Sequence, residues 1–78
     1  GDIMTLDEFI KKFAEQFDET DMSEFKADTI YRNLDEWSSM HALLIISMID
    51  DEMGKTLKAQ DFKSANTIED LYKLAQTR

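Results

Sequence analysis

The stretch from Glu36 to Gly54 reads EWSSMHALLIISMIDDEMG. Two adjacent serines precede the most apolar run in the chain, and three acids and a glycine close it. The spacing predicts a helix from Ser39 to about Met53. Ser38 is placed to cap it, because a serine oxygen at that position can accept from first-turn N–H groups. Gly54 suits the residue without a Cβ that helix ends favour. Met40, Leu43, Ile46, Ile49 and Met53 form one stripe, and a stripe at helical spacing reads as core. Leu44, Ile45 and Met48 widen the apolar surface beyond a single face, so this helix either packs centrally or leaves part of itself for a partner.

On either side of this helix the pattern stays helical. Thr5 can cap a first helix and Glu8 completes a capping box, after which Leu6, Phe9, Ile10, Phe13 and Phe17 recur until about Asp18. From Glu19 to Trp37 the period is lost, and Phe25, Ile30, Tyr31, Leu34 and Trp37 stand singly or in pairs. This reads as a long loop pinned to a core, of a length that tends to be functional or to hide a short helical turn. Beyond Gly54, Lys55 to Leu57 reads as extended and Ala59 to Lys63 as a brief helical turn. Asn66 or Thr67 caps the last helix, with Glu69 and Asp70 in its first turn and Ile68, Leu71, Tyr72 and Ala75 on one face. No strand pattern competes. The expected fold is all-α, a single small four-helix domain over residues 1–78, with three main helices and one short one. Met4 reads as the native start, with Gly1, Asp2 and Ile3 as additions ahead of it.

Composition narrows the chemistry. The 78 residues contain no cysteine, which removes disulfides, thiolate nucleophiles and cysteine-ligated metals. With 9 basic against 17 acidic residues the net charge is −8, which disfavours nucleic acid, since phosphates are neutralised by clustered Lys and Arg. Between Glu15 and Glu52 there are 11 acids against only Lys26 and Arg32. Such a field either aids solubility or steers a basic partner onto the middle of the molecule. The ALLII run from Ala42 to Ile46 is too short to span a bilayer, and no basic-then-apolar leader opens the chain. A soluble cytoplasmic protein without membrane insertion is expected.

Ser39 then stands out at the positive end of a helix, where unpaired N–H groups and the macrodipole favour a bound or attached phosphate. As a hydrolase nucleophile it is poorly served, because His41, the only histidine, is two positions along the same helix and points elsewhere. Asp50, Asp51 and Glu52 are consecutive, so they diverge and match no calcium-loop spacing. No metal site is expected. Either Ser39 merely sits in the first turn beside a capping Ser38, or, on the sharper reading, it is a serine that receives a phosphate-linked group.

On these residues the chain resembles the acyl carrier proteins, small acidic helical bundles that carry acyl groups on a 4′-phosphopantetheine arm. The family attaches the arm to a serine in an Asp-Ser-Leu motif at the start of its second helix. WSSM, from Trp37 to Met40, matches with Ser38 in the aspartate position and Met40 in the leucine position. Apolar positions follow at Leu43, Ile46, Ile49 and Met53, acids at Asp50, Asp51 and Glu52, an apolar loop residue at Leu57 and a Thr67–Ile68 opening of the last helix. From Ser39 onward this register needs no insertion or deletion, and the resemblance covers residues 5 to 76, the loop before Trp37 being matched only in character. Taking Ser38 as the attachment site would shift every core position by one, so the resemblance favours Ser39.

The resemblance implies a shuttle that catalyses no turnover itself. A phosphopantetheinyl transferase would move the arm from coenzyme A to Ser39, and acyl groups would ride on its thiol between enzymes of fatty-acid, polyketide or related biosynthesis. It implies a monomer docking through Asp35, Glu36, Met40, Leu44, Asp50, Asp51 and Glu52 on basic patches of acyl-processing enzymes. It further implies an acyl-chain pocket lined by Leu43, Ile46, Ile68 and Leu71, with Met40 and Met48 able to adapt their shape. Two positions depart from the fatty-acid pattern: His41 and Leu44 stand where such carriers often have acids. A specialised carrier for polyketide, aminoacyl or D-alanyl transfer therefore stays open. The competing reading is a non-carrier acidic helical interaction module whose wide apolar helix receives a partner helix.

Overall fold

The computed structural model describes residues 4–78, and the expectation about residues 1–3 lies outside the described residues. Among the described residues four α-helices follow one another: α1 (Leu6–Ala14), α2 (Ser39–Met53), α3 (Asp61–Ser64) and α4 (Ile68–Thr77). The all-α class expected from the sequence is therefore observed. Between α1 and α2 the long segment carries two 3₁₀ turns, Met22–Glu24 and Tyr31–Asn33. Its extended residue Ile30 forms a single antiparallel bridge with Thr67. Amides of Ile68 and Glu69 donate to Thr29 and Ala27 carbonyls at 3.1 and 3.0 Å, which fastens the segment to the start of α4.

Local signals account for the helix ends. Thr5 and Glu8 form the anticipated capping box on α1, and Thr67 with Asp70 forms a second one on α4. The Asp70 carboxylate accepts from the Thr67 and Asn66 amides, and these bonds hold it below the usual aspartate range. Gly54 closes α2 at φ +65°, a left-handed conformation, with its N–H on the Asp50 carbonyl at 3.0 Å.

α1 is shorter than its periodicity predicts, ending at Ala14 where Asp18 was expected. The Gln16 and Phe17 amides tighten to i−3 partners, and the next two, Asp18 and Glu19, donate instead to the Glu36 carboxylate at 3.0 and 3.1 Å. A distant acid thus takes the N–H groups that would have continued the helix. The short helix expected at Ala59 to Lys63 is present at Asp61–Ser64.

The core is aromatic. Phe9, Phe13 and Phe17 project from α1 and its following turn, and Phe13 meets Phe25, Tyr31 and Trp37 with ring centroids 6.1, 6.1 and 6.3 Å away. Ile45 and Ile49 of α2 and Ile68, Leu71 and Ala75 of α4 are fully buried against it. Of the loop residues expected to pin the segment, Phe25 and Tyr31 are buried and Leu34 and Trp37 pack against the core. Ile30 is the exception at 44 % exposure, because its backbone pairs with Thr67 and its side chain faces outward.

Two polar anchors complete the packing. The Tyr31 hydroxyl donates to the carbonyls of Phe62 and Ala65 at 2.6 and 2.9 Å, and Arg32 reaches both of these and the Asn66 side chain. The last carbonyls of the one-turn α3 are thereby satisfied from the long loop. Asp61 is buried, accepting from the Lys58 amide at 2.9 Å and pairing with Arg78 at 2.6 Å. The Lys58 bond, with help from Arg78, holds its carboxyl below the usual range.

Burial pushes the Tyr31 hydroxyl up to about 12 from an ordinary 10.0. The folded state therefore favours the neutral phenol, and its contribution is present below the ordinary value and lost as pH rises toward the folded one. Alkaline unfolding followed by circular dichroism is expected to show a stability loss over this window that Tyr31→Phe lacks. The variant itself is expected to lose about 1 kcal/mol at neutral pH for the missing hydroxyl bonds.

Candidate functional site

The helix that carries Ser39 is apolar on more than one side, and its neighbours decide which side is buried. Ile45, Met48 and Ile49 face the core, with Ala42, Ile46 and Met53 packed beside them. The stripe expected to be core is thus corrected at its front. Met40 is 66 % and Leu43 64 % exposed, and Leu44, at 40 %, joins them. A helix with so little amphipathic contrast gives periodicity no means of choosing a face, and contact with α1 and the aromatic core makes the choice.

The exposed side combines unlike residues. Ser39 occupies the first helical position and is exposed. At a helical advance of about 100° per residue, Ser39, Met40, Leu43, Leu44, Ser47, Asp50 and Asp51 fall on one half of the cylinder, and all seven are exposed. The anticipated docking residues Met40, Leu44, Asp50 and Asp51 are therefore brought onto the same face as Ser39. Glu52 is exposed but turns to the other side of the helix, toward α1, where Lys12 lies 3.5 Å away, so it is not brought onto this face. Asp35 is exposed on the loop that leads into the helix.

Glu36 is not free for docking. Its Oε1 accepts from the Glu19 amide at 3.1 Å and the Thr20 hydroxyl at 2.7 Å, while Oε2 accepts from the Asp18 amide at 3.0 Å. His41 Nε2 lies 3.5 Å from the same Oε2. The Thr20 hydroxyl chiefly, with the two amides and His41, holds the carboxyl below its usual range. Glu36 works as a clasp between the two ends of the long segment.

Ser38 also departs from expectation. Its backbone has the extended N-cap conformation, φ −150° and ψ 170°, yet its side chain makes no capping bond. The hydroxyl lies instead 2.9 Å from His41 Nδ1. The hydroxyl turns to the ring three residues on, and the N-terminal N–H groups of α2 are left without a side-chain cap. His41 is the functional-site residue that sequence reasoning undervalued. Its ring stacks on Phe17 with centroids 4.4 Å apart and planes at 12°, and it joins Glu36 to Ser38.

The four residues anticipated to line an acyl pocket are separated by their burial. Ile68 and Leu71 are fully buried and Leu43 faces solvent, with Ile46 between these extremes. A cleft of about 330 Å³ lies elsewhere, lined by acidic and polar residues including Glu19, Glu24, Asp35 and Glu36. A shallower one of about 230 Å³ runs between α1 and α2, bordered by Lys12, Leu44, Met48 and Glu52 among others. None of the four lines either cleft. Among the described residues no cluster of three or more His, Cys, Asp or Glu side chains could hold a metal, and no helix is long and apolar enough to cross a membrane.

Comparison with known proteins finds no matching family model, no matching curated protein and no matching solved structure.

Because the folded state lowers the Glu36 pKa, the clasp contributes stability above the ordinary value of 4.5, and that contribution is lost as pH falls through the folded value. Thermal melts of wild type and Glu36→Gln from neutral pH down to about pH 3 check this. The acid-side fall in Tm is expected to be shallower in the variant, whose Tm is already lower at neutral pH.

Proposed function

We propose that this chain is an acyl carrier protein, with Ser39 as the attachment residue for a 4′-phosphopantetheine arm. One observation carries the reading: an exposed serine opens the central helix on the same exposed face as Met40, Leu43, Leu44, Asp50 and Asp51. A purely structural serine needs no such company.

The residues present fit the arm. A phosphodiester formed at the Ser39 oxygen would sit beside first-turn N–H groups that the Ser38 side chain leaves uncapped, where the helix macrodipole favours negative charge. Modification by a phosphopantetheinyl transferase joins the Ser39 oxygen to the phosphate of coenzyme A's pantetheine half, and the nucleotide half leaves. When bound, the arm supplies the thiol on which acyl groups are held as thioesters, chemistry that a chain without cysteine cannot provide itself.

The chain's own contribution is presentation. α2 holds the attachment oxygen in solvent, Met40, Leu43 and Leu44 offer apolar contact, and Asp50 and Asp51 attract basic patches on successive enzymes. Charges of this kind raise the association rate without forcing long residence, which suits a shuttle. His41 and Leu44 make the front of the helix less acidic than in common fatty-acid carriers, which favours a specialised pathway such as polyketide, aminoacyl or D-alanyl transfer. Sheltering an acyl chain against Ile68 and Leu71 requires the core to part, because both are sealed in the present packing.

The exposed Met40, Leu43 and Leu44 also suit a non-carrier interaction module, in which the same face receives a partner helix. Incubation with coenzyme A and a broad-specificity phosphopantetheinyl transferase separates the two. Intact-mass spectrometry is expected to find one added phosphopantetheine on wild type and on Ser38→Ala, and none on Ser39→Ala. An unmodified wild type contradicts the carrier and leaves the interaction module.

A further inference from the structure

We infer that His41 is the positioning residue for the Ser39 tether, latching both ends of the segment between α1 and α2 onto the first turn of α2. The tether's role rests on the carrier reading, whereas the latch itself rests on geometry alone.

The imidazole touches three parts of the chain that are remote in sequence or in element. Its face lies on Phe17, just past the end of α1, with centroids 4.4 Å apart. Its Nε2 is 3.5 Å from Glu36, which in turn gathers the Asp18 and Glu19 amides and the Thr20 hydroxyl. Its Nδ1 is 2.9 Å from the hydroxyl of Ser38, the residue that directly precedes Ser39. With 13 % of its side chain exposed, the ring has little room for another arrangement.

Donor chemistry orients the ring. The Glu36 carboxylate can only accept, so the Nε2 edge that faces it carries a proton, and the Ser38 hydroxyl lies against the Nδ1 edge. The Ser38 side chain, which makes no capping bond to the first-turn amides, is thereby tied to the ring directly before Ser39. Glu36 is the charged group on this ring, and Phe17 and Trp37 present aromatic surfaces to it. Removing the imidazole therefore takes one partner from Glu36 and the ring partner from the Ser38 hydroxyl together.

Amide hydrogen exchange on the unmodified protein, paired with transferase kinetics, tests the inference. In His41→Ala the amides of Asp18, Glu19 and Ala42 are expected to exchange about tenfold faster while those of Ile49 and Leu71 keep their protection. The KM of the transferase for the carrier is expected to rise about tenfold with kcat little changed. His41→Gln, which keeps a donor toward Glu36, is expected to recover part of both effects. Unchanged exchange at Asp18, Glu19 and Ala42 in His41→Ala overturns the latch. Faster exchange with an unaltered KM overturns its role toward the tether. Failure of the transferase to modify wild type overturns the carrier reading and with it the tether role, and the exchange data still decide whether the latch exists.

Discussion

The fold depends on the column of aromatic rings that runs from α1 into its following turn. Phe9, Phe13 and Phe17 give the long segment between α1 and α2 something to pack on, through Phe25, Tyr31 and Trp37. Ordering each residue of such a segment costs roughly 1–2 kcal/mol of backbone entropy. The chain has no cysteine for a disulfide, and among the described residues no sheet offsets that cost. Aromatic side chains bury about 150–250 Å² each, so a few of them anchored on one column can hold a segment that has only two 3₁₀ turns of its own. Tyr31 and Arg32 then extend the same anchoring to the carbonyls of α3.

This arrangement divides α2 between two tasks. With Ile45, Met48 and Ile49 taken into the core, Met40, Leu43 and Leu44 on the opposite half of the helix stand exposed beside Ser39 among the described residues. An apolar exposed face on a small acidic domain carries a solubility cost that function must justify. Presentation of a tethered group to a series of enzymes is a use that accounts for the serine, the apolar residues and the acids at once.

Much of the frame was legible because its signals are local. The capping boxes at Thr5 and Thr67, the bounds of α2 and the stop at Gly54 each depend on residues within one turn of each other. What could not be read depended on contacts distant in sequence or on competition between partners. Glu36 ends α1 from 17 and 18 residues away. Ser38 has an N-cap's backbone and, with His41 three positions on, none of an N-cap's side-chain bonding. The buried face of α2 was misassigned at Met40 and Leu43 because a helix apolar on several sides leaves the decision to its neighbours. At the site, the position of Ser39 at the start of the helix was readable from spacing, and Asp50 and Asp51 were named for docking only through the resemblance, whereas the inward turn of Glu36 and the bridging role of His41 were not legible.

The central claim is that Ser39 bears a phosphodiester-linked arm. The most direct measurement is a phosphorus–proton correlation spectrum of the protein after treatment with coenzyme A and a phosphopantetheinyl transferase. The account predicts one phosphodiester resonance coupled to the β-protons of Ser39. Coupling to Ser38 instead, or no protein-linked phosphodiester at all, would contradict it.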